Sequence, residues 1–315
     1  SQRLTYRTDL IINSLLCVSM RDVECDDVPA EQILDHLEGY RNSKPVRIGN
    51  QAKDQRQNDV YGEVLESIYK FFVEYEYVEE MTDDQWRVME KWITAASQSW
   101  REKDHGIWEF RGLKGHFTFS KLMCWVALDR GAKIAQDTGR DEKADEWRCT
   151  AEKIREDIMK KGWNEEVGAF TQRYGSEILD ASLLLISHVG FLPPDHPQVR
   201  STIDKIDQRL REGCLVFRYK SEDDFGKPEN AFTPCNLWFV EAQYMAGRKE
   251  KARKIFEELM GYSNNLGLFS EDIDPTTKEQ KGNFPQAYTH MAVINAAVML
   301  NENERKHPEC KLKLV

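Results

Sequence analysis

Apolar residues recur at helical spacing in block after block of the chain from about residue 55 onward. An apolar residue every three or four positions is typical of a helix that buries one face, so the pattern predicts a mainly α-helical protein. The predicted helices cover residues 31–38, 58–78, 82–101, 117–138, 142–162, 178–189, 197–212, 232–247, 248–262 and 286–301. Short runs that fit strands, Val46 to Ile48 and Leu215 to Tyr219, are few.

The predicted helices follow a repeat. Helices that come after long loops rich in glycine and aromatic residues begin near 58, 117, 179, 232 and 286. A more charged, amphipathic helix lies between successive starts, which predicts helical hairpins with one inner and one outer helix. Six such hairpins closed into a double ring form the (α/α)6 barrel. Five are visible, so we expect an all-α protein, an (α/α)6 barrel that is incomplete with about five hairpins.

Composition and charge narrow the class of partner. The 315 residues are 40% hydrophobic and 10% aromatic, enough to build a folded core. The chain has 44 Lys and Arg against 54 Asp and Glu, a net charge of −10. Negative charge repels nucleic acid and anionic membrane surfaces, so we expect neither as a partner and favour a neutral ligand.

Cysteine usage bears on the compartment. The seven cysteines, at positions 17, 25, 124, 149, 214, 235 and 310, are odd in number and widely spaced, without a Cys-x-x-Cys pair. They predict reduced thiols and a cytoplasmic protein. The apolar stretch Leu10 to Met20 is too short to cross a bilayer and is predicted to be a helix. Because the chain starts with Ser rather than Met, we expect its natural start to lie upstream.

The loops that precede the inner helices are the expected functional region, because all of them emerge at one end of such a barrel. Their aromatic and arginine residues suit a neutral polyol. The C–H faces of a sugar pack on aromatic rings, and its hydroxyls accept hydrogen bonds from guanidinium groups. The candidates are Trp108, Arg111, Arg218 and Tyr219. The alternative interpretation is that these aromatic residues pack between helices.

Two glutamates stand out by their setting. Glu109 follows Trp108, which could exclude water from it and raise its pKa as a general acid requires. Glu271 follows Phe269 closely in another loop of the same predicted end. Each alone would more often be a solvated carboxylate. Two carboxylates facing one pocket can cleave a glycosidic bond, since one protonates the leaving oxygen and the other activates a water molecule.

Five sequence strings resemble one known family. They are Gly39 to Asn50, Gln57 to Glu63, Gly106-Ile107-Trp108-Glu109-Phe110-Arg111-Gly112, His116 to Arg130, and Gly282 to His290. These strings are similar to glycoside hydrolase family 15, the family of glucoamylases and prokaryotic-type trehalases. The resemblance extends from about Ile33 to Leu300.

The resemblance implies a fold, a reaction and residue roles. It implies the (α/α)6 barrel and the release of β-glucose from an α-glucoside with inversion. Glu109 matches the general acid of the family and Glu271 its general base. Trp108 matches a subsite residue, and Arg218 with Tyr219 matches the arginine that holds glucose hydroxyls. An inverting enzyme holds its carboxyl groups about 6.5–9.5 Å apart, with a water molecule between them.

The chain departs from the family at its beginning. The N-terminal sandwich domain and the first helical hairpin, which carries a Trp-x-Arg-Asp-type motif, are not found. Tyr6-Arg7-Thr8-Asp9 has the wrong spacing for that motif. We therefore expect an unmatched segment 1–30, a catalytic domain 31–302 and a basic tail 303–315. A ring without one hairpin would leave apolar flanks of two inner helices exposed.

These observations predict an inverting exo-acting α-glucosidase of the glucoamylase type, which acts on α-glucans or maltooligosaccharides and needs no cofactor. An α,α-trehalase of the same family is the first alternative, and a catalytically inactive glucan-binding or regulatory fragment is the second. His116 and His290 are predicted to be hydrogen-bonded positioning groups rather than metal ligands, because metal-site spacings are missing. His290 is also counted among the substrate-binding candidates. Oligomeric state is left open.

Overall fold

The computed structural model describes residues 28–74 and 81–301. The predicted helix at Leu10 to Met20 and the predicted basic tail 303–315 lie outside these residues. The chain forms two compact units. The first contains Arg47–Ile178 with the residues up to Asp35, and the second contains His36–Val46 with the residues from Leu179 onward.

The first unit is built on two pairs of helices. The helices are α1 (Val60–Tyr69), α2 (Asp83–Ser99), α3 (Thr118–Asp137) and α4 (Asp141–Lys161). A π-helical turn, Lys70–Glu74, continues α1, and a 3₁₀ turn spans Gln51–Asp54. The antiparallel strand pairs are β1 (Gln32–Ile33) with β2 (Arg47–Ile48), and β3 (Trp163–Asn164) with β4 (Ala169–Phe170).

The second unit also consists of helices with short strands between them. The helices are a 3₁₀ turn Ala181–Ile186, α5 (Pro197–Arg209), α6 (Thr233–Met245), α7 (Lys249–Met260) and α8 (Ala287–Asn301), and a further 3₁₀ turn spans Tyr40–Asn42. The strands are β5 (Arg211–Glu212) with β6 (Leu215–Val216), and a sheet in the order β7 (Ala231–Phe232), β8 (Asp272–Ile273) and β9 (Gln280–Lys281).

The burial of their side chains distinguishes the inner helices from the outer ones, the two kinds that the sequence predicts. Most side chains of α3 and α6 are buried on every side of the helix. Helices α2, α4, α5 and α7 bury one stripe only, as in the run Ala144, Trp147, Ala151, Ile154 and Ile158 of α4. Within the described residues the chain has three pairs of α-helices, α1 with α2, α3 with α4 and α6 with α7, and a fourth pair in which the 3₁₀ turn Ala181–Ile186 precedes α5. Helix α8 follows them.

Local sequence signals explain the helix ends. Thr82 caps α2, since its hydroxyl accepts from the backbone N–H of Gln85 and the Gln85 side chain accepts from the backbone N–H of Thr82. This reciprocal arrangement satisfies two N–H groups that a helix start would otherwise leave unpaired. Asp141 begins α4, where a carboxylate meets the positive end of the helix dipole.

Helix α1 packs against α3 at a glycine. A Cβ atom placed on Gly62 would lie 2.2 Å from the carbonyl oxygen of Met123 in α3. No side chain fits at that distance, so the absence of a side chain lets the two backbones approach each other. This contact involves main chain on both sides, and neither side can move away independently of its helix.

One predicted helix is wrong and two differ in kind. Residues 31–38 form no helix, because Gln32 and Ile33 pair as a strand with β2 and Ile33 stays 52% exposed. A helix of eight residues needs a packed apolar face to form, and this segment has none. The predicted helix 178–189 is the six-residue 3₁₀ turn, and the predicted helix 58–78 ends its regular α geometry at Tyr69.

Helix α8 exposes an apolar stripe. Tyr288, Met291 and Ile294 are 71%, 58% and 60% exposed and follow one another along one side of the helix. Its buried positions, among them Ala292 and Ala296, lie on the other side. An inner helix of the predicted ring with one flank uncovered has this pattern.

The described residues bear on two further predictions. Cys124, Cys149, Cys214 and Cys235 are free thiols, as predicted, while the other three cysteines lie outside the described residues. Among residues 28–74 and 81–301, no helix has both the length and the apolar content needed to cross a membrane. The cytoplasmic location stays a prediction.

Candidate active site

Glu109 lies in a loop whose two ends are joined. Asp104 and Gly115 pair through two backbone hydrogen bonds of 3.1 and 2.9 Å. The buried Asp104 carboxylate also accepts a hydrogen bond of 3.0 Å from the backbone N–H of Asn58, at the start of α1. The loop 104–115 is therefore attached to α1 and carries Trp108, Glu109 and Arg111.

The backbone of Glu109 adopts a conformation that few residues other than glycine adopt. Its φ angle is 57°, and its N–H donates to the carbonyl of Gly106 at 3.1 Å. Gly106 has φ 68°, and a Cβ atom there would lie 2.9 Å from the ring of Phe117. Such left-handed backbone costs about 1–3 kcal/mol at a residue with a side chain and persists only where surrounding contacts impose it.

The surroundings of the Glu109 carboxyl suit a proton donor. Burial raises the pKa of Glu109, and this effect exceeds the opposing ones of a hydrogen bond from Asn50 and the positive charge of Arg111. The Asn50 Nδ2 atom lies 3.4 Å from Glu109 Oε2. A carboxyl with a raised pKa keeps its proton closer to neutral pH, as the general acid of a hydrolase must.

Arg111 and Trp108 adjoin this carboxyl. The Arg111 guanidinium donates to Glu31 Oε2 at 2.5 Å and to Gln51 Oε1 at 2.8 Å. Glu31 also pairs with Arg47 at 3.3 Å. Arg111 thus joins the loop to the residue before β1 and to the 3₁₀ turn after β2, and Trp108 is half-buried beside Glu109. Their contacts with a sugar stay predictions.

Glu271, in the second unit, is held at its backbone and at one carboxylate oxygen. Its carbonyl accepts from the N–H of Thr233 at 2.8 Å, and its own N–H donates to the carbonyl of Asn283 at 2.9 Å. Its Oε2 atom accepts from the backbone N–H of Asn283 at 3.1 Å and from Asn283 Nδ2 at 2.7 Å. These donors stabilise negative charge on Oε2.

The second carboxylate oxygen of Glu271, Oε1, differs from Oε2 in its contacts. Within the part of the chain that the structure describes, Oε1 has no hydrogen-bond partner, and the side chain is partly exposed. Gly282 makes the close packing around Glu271 possible, since a Cβ atom there would lie 3.0 Å from Oε2 and its φ is +78°. A half-exposed carboxylate with one available oxygen can take a proton from a water molecule.

Arg218 and Tyr219 share one carboxylate. Asp223 Oδ2 accepts from the Tyr219 hydroxyl at 2.6 Å and from Arg218 Nη2 at 3.3 Å. Asp223 Oδ1 accepts from the N–H of Phe225 at 2.7 Å and so fixes the turn of its own loop. The Tyr219 ring is only 1% exposed. Tyr219 thus serves to hold Asp223, and its predicted contact with substrate stays a prediction.

His290 supports the Glu271 loop. Its Nε2 atom accepts from the backbone N–H of Phe269 at 3.3 Å, and its Nδ1 atom lies 2.8 Å from the carbonyl of Gln286. The first contact requires an unprotonated Nε2, so Nδ1 carries the proton and donates. Both ring nitrogens have partners inside the chain, as expected of a positioning group. A contact of His290 with substrate stays a prediction.

Asp272, next to Glu271, is a half-buried carboxyl group. Burial, followed by the negative charge of Glu271, raises the pKa of Asp272 to about 7, while the charge of Arg218 acts in the opposite direction. Burial outweighs the nearby arginine because a charged carboxylate loses its hydration there. Asp272 therefore changes its charge near neutral pH, beside the predicted general base.

The structure places the seven predicted site residues in two groups. Trp108, Glu109 and Arg111 are in the first unit, and Arg218, Tyr219, Glu271 and His290 are in the second. That the two glutamates share one cavity stays a prediction. The sequence reasoning missed four polar residues around the glutamates and Arg218, namely Asn50, Asn283, Asp223 and Asp272. Asn50 and Asn283 lie inside the strings that resemble the family, so amide residues in those strings were the available signal.

Curated proteins with similar sequences are trehalases. A protein named Trehalase from Mycobacterium tuberculosis (strain ATCC 25618 / H37Rv) is 45% identical over 271 residues, which are 85% of this chain and 39% of that protein. A Trehalase from Thermoplasma volcanium is 34% identical over 273 residues, 86% of this chain and 43% of that protein. The chain thus spans less than half the length of these relatives.

Solved structures agree on the fold. A glucoamylase from Saccharomycopsis fibuligera is similar with a TM-score of 0.65 at 13% identity, and the similarity covers 82% of this chain and 72% of that chain. At this identity the similarity concerns the fold alone. It confirms the predicted fold class, the all-α (α/α)6 class.

A family profile covers most of the sequence. The profile described as Glycosyl hydrolases family 15 matches residues 11–298. The matched range begins inside the N-terminal segment 1–30, ahead of the predicted catalytic domain. Together with the 45% identity to a trehalase, this match shows that the chain belongs to glycoside hydrolase family 15.

Proposed function

We propose that the chain carries the catalytic residues of an inverting α,α-trehalase, with residues 31–302 as the catalytic domain. The observation that carries the proposal is the unlike setting of the two glutamates. Glu109 is held in a buried place that favours its protonated form, whereas Glu271 receives two N–H donors on one oxygen and leaves the other available. An inverting hydrolase needs one carboxyl group of each kind.

The proposed reaction uses both groups in one step. Glu109 donates its proton to the oxygen that joins the two glucose rings as the bond from C1 of one ring to that oxygen breaks. Glu271 accepts a proton from a water molecule, whose oxygen forms the new bond to C1 from the opposite face. One trehalose and one water give two glucose molecules, and exchange of protons with solvent restores both carboxyl groups.

Inversion has a stereochemical signature. The ring attacked by water changes configuration at C1 and leaves as β-glucose. The other ring keeps its own C1–O bond, so it leaves as α-glucose. We therefore expect equal amounts of α- and β-glucose at early times, before mutarotation equilibrates them. A retaining enzyme would release α-glucose from both halves of trehalose.

The choice of trehalose over glucan rests on the relatives. Proteins named Trehalase are 45% and 34% identical to this chain, whereas the glucoamylase structure is 13% identical. The expected glucoamylase-type activity on α-glucans therefore becomes the second candidate, and the trehalase alternative the first. A neutral disaccharide also fits the net charge of −10.

The experiment incubates the purified chain with trehalose and, separately, with maltotriose, and follows glucose release by proton NMR. We expect α- and β-glucose in equal amounts from trehalose and little release from maltotriose. Faster glucose release from maltotriose than from trehalose would favour glucoamylase activity. Binding of either sugar without hydrolysis would favour an inactive glucan-binding fragment.

Matched variants assign the two roles. Glu109→Gln and Glu271→Gln should each lower kcat by about 10²–10⁴-fold, since each removes a proton transfer. Glu152→Gln is the control, because Glu152 is an exposed glutamate of α4. Activity that survives in either of the first two variants would contradict the assignment of that residue.

A further inference from the structure

We propose that two buried glutamines, Gln55 and Gln280, are the positioning residues of the two glutamates. This inference rests on the proposed function, since positioning matters only where Glu109 and Glu271 act on substrate. Each glutamine donates from its side-chain amide to two backbone carbonyls in the loop of one glutamate. The same device thus occurs once in each unit.

Gln55 contacts the backbone of Glu109 directly. Its Nε2 atom lies 3.2 Å from the carbonyl oxygen of Glu109 and 3.2 Å from that of Phe110. Gln55 is 7% exposed, so water does not compete freely for these two acceptors. The two contacts fix the Glu109–Phe110 peptide group and the one that follows it, directly after the left-handed residue Glu109.

A second pair of contacts holds the same loop. His105 Nδ1 lies 2.6 Å from the carbonyl oxygen of Phe110, and the N–H of His105 donates to the carbonyl of Arg56 at 3.1 Å. The segment Gln55–Arg56 and the loop of Glu109 are therefore joined at neighbouring points. Left-handed backbone at Glu109 costs free energy, so the conformation of this residue depends on the contacts from Gln55 and His105.

Gln280 does the same for the loop of Glu271. Its Nε2 atom donates to the carbonyl of Tyr262 at 2.9 Å and to that of Leu268 at 3.0 Å. Its Oε1 atom accepts from the N–H of Ser270 at 2.7 Å. Gln280 is 4% exposed, and Ser270 directly precedes Glu271. All three polar contacts of this side chain thus fix the chain that leads into Glu271.

A neutral amide suits this task. An amide group has two N–H donors that can serve two carbonyl oxygens at once, and it brings no charge near the carboxyl groups. Removal of the amide takes the donor from the carbonyl of Glu109 in one loop and from that of Tyr262 in the other, whereas the carbonyls of Phe110 and Leu268 keep contacts with His105 and with the Asn264 N–H. The loop then shifts to reach other partners. A misplacement of a catalytic group by about 1 Å can cost about 10²-fold in rate.

The test compares three variants with the unaltered chain. Gln55→Met and Gln280→Met keep the side-chain volume and remove the amide. Gln243→Met is the control, because Gln243 is equally buried but lies ten residues along α6 from Thr233, which contacts Glu271. Ten helical residues span about 15 Å. We expect kcat for trehalose to fall about 10–100-fold in the first two variants with KM changed little, and both constants to stay near their original values in the third.

A second measurement does not require activity. Amide hydrogen exchange should become faster at Glu109 and Phe110 in Gln55→Met, and at Ser270 in Gln280→Met, while Gln243→Met leaves these amides unchanged. If the unaltered chain does not hydrolyse trehalose, the proposed function fails, and the exchange data still decide whether the glutamines fix the loops. Unchanged kcat, or unchanged exchange at these amides, would overturn the proposal.

Discussion

Replacement of Asp272 by Asn should change how the stability of the protein depends on pH. Asp272 lies in the middle strand of the three-stranded sheet, next to Glu271. Burial and the charge of Glu271 raise the pKa of Asp272 to about 7 from an ordinary 3.8, against the effect of Arg218. The folded protein therefore holds a proton on Asp272 at pH values where the unfolded chain has lost it.

The sign and the size of the effect follow from this difference. A raised pKa in the folded state gives stability that is fully present below the unfolded value, near pH 4, and is lost as pH rises towards 7. The interval spans roughly three pH units, and each costs about 1.4 kcal/mol. The total change expected between pH 4 and pH 8 is thus about 4 kcal/mol as an upper bound.

Asn at this position cannot ionise, so the variant does not lose that stability. We expect Asp272→Asn to gain in free energy of unfolding relative to the unaltered chain as pH rises from 4 to 8, measured by urea denaturation at several pH values. Asp274→Asn is the control from the same hairpin. Backbone hydrogen bonds from Thr277 and Thr276 lower the pKa of Asp274 from its ordinary 3.8, so its stability contribution is fully present above about pH 4 and is lost only as pH falls below that value. The difference in free energy of unfolding between Asp274→Asn and the unaltered chain should therefore stay constant from pH 4 to pH 8.

A difference between Asp272→Asn and the unaltered chain that stays constant from pH 4 to pH 8 would refute the reasoning. It would mean that Asp272 is ionised in the folded protein at all of these pH values. A difference that falls as pH rises would contradict the argument as well, since it would reverse the sign of the burial effect.

Three further predictions concern packing and loop contacts. Gly62→Ala should lower the free energy of unfolding by about 1–3 kcal/mol, because the added methyl group meets the backbone of α3. Gly261→Ala is its control, since that position has ordinary helical backbone and a nearest neighbour at 3.2 Å. Asp223→Ala should raise KM for trehalose, since it releases the arginine and tyrosine that share this carboxylate. Asn283→Ala should lower kcat by about tenfold or more, because Oε2 of Glu271 loses the side-chain donor Asn283 Nδ2 at 2.7 Å and keeps only the backbone N–H.

Each of these has a contrary outcome. Equal stability of the two alanine variants in thermal unfolding would show that the helices at residue 62 can separate at no cost. An unchanged KM after Asp223→Ala would mean that the shared carboxylate does not order a substrate-binding group. Equal initial rates of glucose release from Asn283→Ala and the unaltered chain would show that Oε2 of Glu271 does not need the side-chain donor of Asn283.

Single residues in the sequence point to the two glutamates of the candidate site. Glu109 and Glu271 stand out because each lies beside an aromatic residue in a loop of the helical repeat, and the surroundings of both fit the roles that we propose for them. Tyr219 and His290 fit less well as sugar contacts. The first is buried against Asp223, and the second has both ring nitrogens bonded within the chain. Residue type identifies a possible donor, but not whether the protein itself uses that donor.

The spacing of residues along the chain predicts most of the helices and their pairing, because a buried helical stripe and a repeat of hairpins both leave a regular pattern in it. The family follows from the sequence strings that resemble it. The left-handed backbone of Glu109, the hydrogen bonds from Gln55 and Asn283 and the raised pKa of Asp272 depend on tertiary contacts. These properties arise where segments distant in sequence meet, as Gln55 meets Glu109 across 54 positions. A local sequence pattern does not predict such a contact, since the free energy of a buried polar group depends on every segment that packs around it.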